Sequence, residues 1–97
     1  NEIQIKPLLS LYELFEEGRA MHHCIVSYAD ECKNDQYRVI SMTSVNDETI
    51  RSTLGLYCEG KKWRIDQHKS DGNRAVDKKH ADLGSVICEM YNQSIKR

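Results

Sequence analysis

The sequence has no apolar run approaching the roughly 18–20 residues that a membrane span requires, so no membrane segment and no membrane partner are expected. It has a single proline and no excess of charge, with 14 Lys+Arg against 15 Asp+Glu and a formal net charge of -1 over 97 residues. Its four cysteines, Cys24, Cys32, Cys58 and Cys88, form no CxxC pair, and its histidines form no HxxxH pair. Zinc-ribbon spacing is therefore missing, and the wide, irregular cysteine spacing argues against a disulfide scaffold. Reduced, buried thiols in a cytoplasmic protein are the expectation, with no metal and no cofactor. There is no initiator Met and no basic n-region followed by an apolar h-region, so the chain is expected to begin as a fragment of a longer protein and not as a signal peptide.

What is present suits one small domain over 1–97: 39% hydrophobic and 30% charged residues, a composition that argues against disorder. The near-zero net charge hides a dipole. Residues 1–48 carry four basic and nine acidic side chains, net -5, whereas 60–80 carry Lys61, Lys62, Arg64, Lys69, Arg74, Lys78 and Lys79 against three Asp, net +4. A basic block of this kind is the electrostatic footprint of an anionic partner, and it is also what a solvated surface looks like.

Residues 2–6 alternate apolar and polar with the period of a strand, ended by Pro7. Ser10 to Glu13 has the form of a capping box, with the Glu13 carboxylate reaching back to the Ser10 amide, and a helix over 11–17 follows. That helix places Leu11, Leu14 and Phe15 on one face and is stopped by Gly18. Met21, Cys24, Ile25, Tyr28, Ala29 and Cys32 recur at three and four, predicting a second helix over 21–33. Three β-rich runs, 37–45, 49–57 and 62–68, are separated by short polar breaks of hairpin type. In the third run a regular strand puts Trp63, Ile65 and Gln67 on one face and Arg64, Asp66 and His68 on the other. Ser70 to Asn73 reads as a loop, and 76–95 as a closing helix on the open face of the sheet. The fold class is α+β: a three-stranded antiparallel meander, to which the N-terminal strand can be added, packed against two N-terminal helices and one C-terminal helix.

Two polar clusters can carry chemistry. The first, Met21-His22-His23-Cys24, opens the expected second helix; its histidines could ligate metal or act as acid and base, and a thiol near a helix N-terminus is a candidate nucleophile. A buried histidine strut beside a core cysteine is the plainer alternative. The second cluster, Gln67, His68, Asn73 and Arg74, occupies a strand end and the loop after it, where an Asx turn competes with a ligand site.

Together, Glu17-Gly18-Arg19-Ala20-Met21-His22-His23-Cys24-Ile25, Tyr28, Ile40-Ser41, Thr53-Leu54, Trp63-Arg64-Ile65, Gln67 and Asn73 resemble the PcfJ-like family of bacterial conjugative plasmids, integrative elements and phages. The resemblance runs from about residue 3 to about 80. It implies a mobile-element setting, a C-terminal module of a longer protein, and motif residues His23, Cys24, Gln67 and Asn73. The family's Q-x-x-G-x-x-N has its glycine where this chain has Ser70, with Gly72 two residues on, so the loop is expected to bend differently here.

Three functions follow as expectations. In the first, a nucleic-acid module uses Lys61, Lys62, Arg64, Lys69 and Arg74 on phosphates beside the polar cluster. In the second, a small hydrolase or nuclease uses His22 or His23 with His68 as acid and base and Lys69 or Arg74 on the developing charge. Its cysteine variant takes Cys24 as nucleophile, His23 or His68 as base, and Gln67 or Asn73 as oxyanion donor or orienter. In the third, a structural or protein-interaction domain keeps these residues as a buried polar network. Expected partners are nucleic acid or another domain of the same protein.

Overall fold

The computed structural model describes residues 2–21 and 36–95. Strand β1 (Ile3–Pro7) leads to helix α1 (Leu11–Met21). Strands β2 (Tyr37–Ser44), β3 (Arg51–Glu59) and β4 (Lys62–Lys69) follow, then a 3-10 turn (Asp71–Asn73) and helix α2 (Lys78–Ile95). The strands form one antiparallel sheet in the order β1-β2-β3-β4.

The expected architecture of three strands and three helices is corrected. The N-terminal strand is a full member of the sheet, running opposite β2 from Ile3↔Ser44 to Pro7↔Ile40. Proline is tolerated there because β1 is an edge strand and needs no second row of donors. The described residues hold two helices; the expected second helix over 21–33 lies outside them, apart from Met21, which ends α1. Gly18 does not stop α1. A mid-helix glycine costs about 1 kcal/mol relative to alanine, and the burial of Met21 one turn later, at 1% exposure, offsets that cost.

Local chemistry explains the remaining boundaries. The capping box forms, but the Glu13 carboxylate accepts from the Leu9 amide at 2.9 Å, one residue earlier than expected, while the Glu13 amide donates to Ser10 Oγ at 3.1 Å. The Leu9 N–H holds the Glu13 carboxyl below its ordinary pKa. Asp47 closes the β2–β3 connection by accepting from the Thr49 amide at 3.0 Å and the Thr49 hydroxyl at 2.6 Å. Gly60 makes the β3–β4 turn at φ 67°, a left-handed conformation that favours glycine. In the following loop Gly72 takes φ 64°, whereas Ser70 is extended at φ -88°, so a side chain at 70 is accommodated without strain.

Because successive side chains alternate, β2 and β3 each supply two cores. On one face Ile40, Met42, Leu54, Leu56 and Trp63 pack against Ile87 of α2. On the other, Tyr37 and Val39 pack with Leu8 and with Leu14 of α1. Helix α2 meets the sheet through His80, Gly84 and Ile87, while Val86 and Met90 face outward. Among the described residues no helix is long and apolar enough to cross a membrane.

Candidate functional site

The pairing of β3 with β4 is regular until Gly55. Leu56 lies opposite Ile65, but Gly55 lies opposite Gln67, so Asp66 is an extra residue, a β-bulge. One inserted residue exchanges the two faces of everything beyond it. The expected grouping of Gln67 with Trp63 and Ile65 is therefore overturned. His68, opposite Leu54, joins Trp63 on the α2 face. Lys62, Arg64, Gln67 and Lys69 lie together on the α1 face, opposite Glu59, Tyr57, Gly55 and Thr53.

The bulge is pinned from two strands away. Tyr37 Oη donates to Asp66 Oδ2 at 2.6 Å, and the tyrosine ring reaches that carboxylate by lying across Gly55. A Cβ on Gly55 would sit 2.2 Å from the phenol oxygen, so only glycine lets the ring pass.

On the α2 face His68 enters a chain of four side chains. Ser52 Oγ lies 2.9 Å from His68 Nε2 and 2.7 Å from His80 Nδ1, and His80 Nε2 lies 3.0 Å from Ser44 Oγ. Ser52 and His80 are fully buried. Burial first, and the neighbouring His80 second, push His68 down to about 4; burial also lowers His80, against the pull of Asp77. Both rings are thus neutral near pH 7, the state in which each can donate from one nitrogen and accept at the other. Gly84 makes room: a Cβ there would be 2.8 Å from His68 Nδ1. Sequence reasoning missed His80 and Ser52. The available signal was position, since His80 lies on the stripe of α2 that continues through Leu83, Gly84, Ile87 and Tyr91.

A second buried polar group joins α1 to β3. Glu17 is 5% exposed. Thr53 Oγ1 donates to its Oε2, and Arg51 Nη2 lies 3.4 Å from its Oε1. Arg51 Nε is buried without a hydrogen-bond partner among the described residues, while Ser70 Oγ donates to the Arg51 carbonyl at 3.0 Å, tying the loop after β4 to this cluster. Glu17 and Arg51 also line a cavity of about 450 Å³ shared with Lys6, Glu13, Ser41 and Thr43. Glu17 belongs to the motif quoted above but was not selected as a site residue. It sits three residues after Leu14 and four before Met21, and a carboxylate on that buried stripe was the signal.

His22, His23 and Cys24 lie outside the described residues, as does the side chain of Asn73. Of the basic residues, Lys78 pairs with Asp82 at 3.1 Å, Lys79 with Glu2 at 3.0 Å and Arg64 with Glu59 at 3.4 Å, all at exposed positions where such pairs contribute little. Lys61, Lys62, Lys69 and Arg74 make no ion pair among the described residues. His68 and Gln67, neighbours in sequence, point to opposite faces of the sheet. Cys58 and Cys88 are free thiols, and burial pushes the Cys88 thiol up. Among the described residues no group of three His, Cys, Asp or Glu could hold a metal ion.

Among known protein families, the one described as PcfJ-like protein matches residues 1–83. No curated protein and no solved structure matches the chain significantly.

Proposed function

Because the chain belongs to the PcfJ-like family, we propose that it is a mobile-element-associated module of the bacterial cytoplasm that binds single-stranded nucleic acid along β4. The observation that carries this reading is the bulge at Asp66, which aligns Lys62, Arg64, Gln67 and Lys69 on one face of the edge strand. A regular strand would have split them between two faces. The stripe is about 20 Å long at roughly 3.4 Å per residue; Lys61 precedes it in the β3–β4 turn and Arg74 follows the 3-10 turn after it. Half-buried Tyr57, opposite Arg64, offers an aromatic ring beside the cations. Cations tracking a backbone beside a stacking surface are how single strands are held without sequence readout.

The test is fluorescence anisotropy with a short single-stranded oligonucleotide and the matching duplex between 50 and 200 mM salt. Three phosphate contacts at about 0.7 ions each give a slope near -2, so fourfold more salt weakens single-strand binding about 18-fold. The triple variant Lys62→Gln/Arg64→Gln/Lys69→Gln is expected to lose that slope while keeping its melting temperature, since all three side chains lie on the surface stripe. Absence of binding at 50 mM, or an unchanged slope in the variant, removes the proposal. An acidic surface of another domain of the same protein would also be salt-sensitive but would leave the oligonucleotide unbound.

A further inference from the structure

The edge of the sheet farthest from β4 is not used by the nucleic-acid reading, and the two edges are finished differently. At β4 the Asn92 side chain takes both the outward amide and the outward carbonyl of Trp63, and the bulge at Asp66 interrupts the row. At β1 nothing among the described residues bonds to the outward groups. The Leu8 amide donates to the Val39 carbonyl at 2.9 Å and the Val45 amide to the Glu2 carbonyl at 2.8 Å, so residues 2, 4, 6 and 8 turn their backbone groups toward β2. Ile3 and Ile5 therefore turn theirs outward, as does Pro7, which has no donor to leave unpaired. Helix α1 lies over β3 and the 3-10 turn, and α2 over β3 and β4, so the helix bodies sit away from this edge.

We propose that β1 is a dimerisation edge: a second copy of this chain adds its own β1 antiparallel about a two-fold axis at Gln4, joining the two four-stranded sheets into one. The strand is complementary to itself in that register. Pairing about Gln4 sets Ile3 opposite Ile5 of the second copy and Ile5 opposite its Ile3. Each pair exchanges two N–H to C=O bonds, so every outward donor of the strand is used. Glu2 falls opposite Lys6 of the second copy at both ends. Moving the axis to Ile3 sends Ile5 beyond the strand to Asn1, and moving it to Ile5 sets Ile3 opposite Pro7, which cannot donate. Either shift also leaves Glu2 and Lys6 without an opposite charge.

The side chains agree with the backbone. Ile3 packs against the core under α2, and Ile5, opposite Met42 on the same face, is 42% exposed; docking covers it with Ile3 of the second copy. Glu2 and Lys6 are 60% and 65% exposed and already hold Lys79 at 3.0 Å and Glu13 at 3.3 Å. Docking thus brings no lone charge to the edge. It joins two pairs into a row of alternating sign from Lys79 through Glu2 and Lys6 to Glu13. Such exposed pairs add little affinity, and their part is to choose the register. Pro7 ends the ladder and β4 is already finished, so the assembly closes as a symmetric pair and does not grow into a filament.

Sedimentation velocity of the whole chain from about 10 µM to about 1 mM is expected to show a monomer–dimer equilibrium with its Kd inside that range, since so short a ladder belongs with weak interfaces. Ile5→Pro removes an outward donor and leaves the bonds to β2 intact, and it is expected to raise Kd at least about tenfold. Glu2→Lys sets like charges opposite each other at both ends and is expected to raise Kd about fivefold or more; Glu2→Lys/Lys6→Glu is expected to return it to within about threefold of wild type. The double variant repairs neither the Lys79 nor the Glu13 pair, so its recovery reads the register alone. Gln4→Cys reads the axis. Two copies of residue 4 face each other with Cα atoms about 4.5 Å apart, within disulfide range, whereas two copies of residue 6 lie about 14 Å apart along the strands. Mild oxidation followed by peptide mass spectrometry is expected to bridge Gln4→Cys at least about tenfold faster than Lys6→Cys. A chain that stays monomeric at about 1 mM, a dimer indifferent to Ile5→Pro, a double charge variant no tighter than Glu2→Lys, or equal bridging at residues 4 and 6 overturns the proposal.

Discussion

Replacing Gly55 with alanine tests the device that sets the faces of β4. The added methyl would lie 2.2 Å from Tyr37 Oη, 3.0 Å from Cζ and 3.2 Å from Cε1. The ring has nowhere to go, because Tyr37 is 2% exposed and packed in one core cluster with Leu8, Leu14 and Val39. Forcing it aside incurs about 1–3 kcal/mol of overpacking. It also breaks the hydrogen bond to Asp66, worth about 1.5 kcal/mol at the low end for a charged acceptor because Asp66 is exposed. Alanine recovers about 0.5–1 kcal/mol relative to glycine in a strand interior. The net expectation is a loss of about 1.5–4 kcal/mol, and for a domain of this size a fall in Tm of roughly 7–20 °C.

The assay is thermal and urea unfolding of four proteins: wild type, Gly55→Ala, Tyr37→Phe and the double variant. Tyr37→Phe removes the atom at 2.2 Å, so Gly55→Ala should cost at least about 1 kcal/mol less in that background. Additivity to within about 0.5 kcal/mol would refute the claim that Gly55 is required by the tyrosine crossing. If the device holds, Gly55→Ala also weakens oligonucleotide binding, since Gln67 and Lys69 owe their face to the bulge that Tyr37 anchors.

Acid should destabilise the fold through the paired histidines. Folded His68 is pushed from 6.5 down to about 4 and His80 is lowered as well, so the unfolded chain takes up protons first as pH falls. The stabilisation is complete above about pH 6.5 and is lost progressively between 6.5 and 4. Tm measured across that window should fall, and His68→Asn should flatten the dependence; a Tm constant from pH 7 to 5 would contradict it. Asn92 of α2 caps the outer edge of β4, accepting from the Trp63 amide at 2.7 Å and donating to the Trp63 carbonyl at 3.0 Å. Asn92→Ala should cost about 1–2 kcal/mol and speed hydrogen exchange at the Trp63 amide, and an equally protected amide would show that the cap is dispensable.

Much of the fold was legible from local chemistry. Alternation marked the strands, Ser10 and Glu13 marked the start of α1, and the polar breaks marked both hairpins, because each is decided by residues a few positions apart. Helix α1 outran its expected end at Gly18 because burial of Met21 is a tertiary contribution that no local propensity contains. The candidate site was legible in part. The basic residues of 61–74 stood out by charge alone, while Glu17 and His80 lay hidden on helical stripes whose burial only packing reveals.

The sequence by itself determined an α+β chain with an acidic first half, a basic strand and loop, and the motif that places it among PcfJ-like proteins. Only the tertiary structure decided which face each residue of β4 presents. That choice rests on Asp66, and Asp66 is held by a tyrosine 29 residues away in sequence that crosses a glycine on the strand between them. Period-two alternation carries no information about where a bulge falls when its anchor is so distant. The same inserted residue sends Gln67 and Lys69 to join the cations on one face and His68 to join Ser52 and His80 on the other.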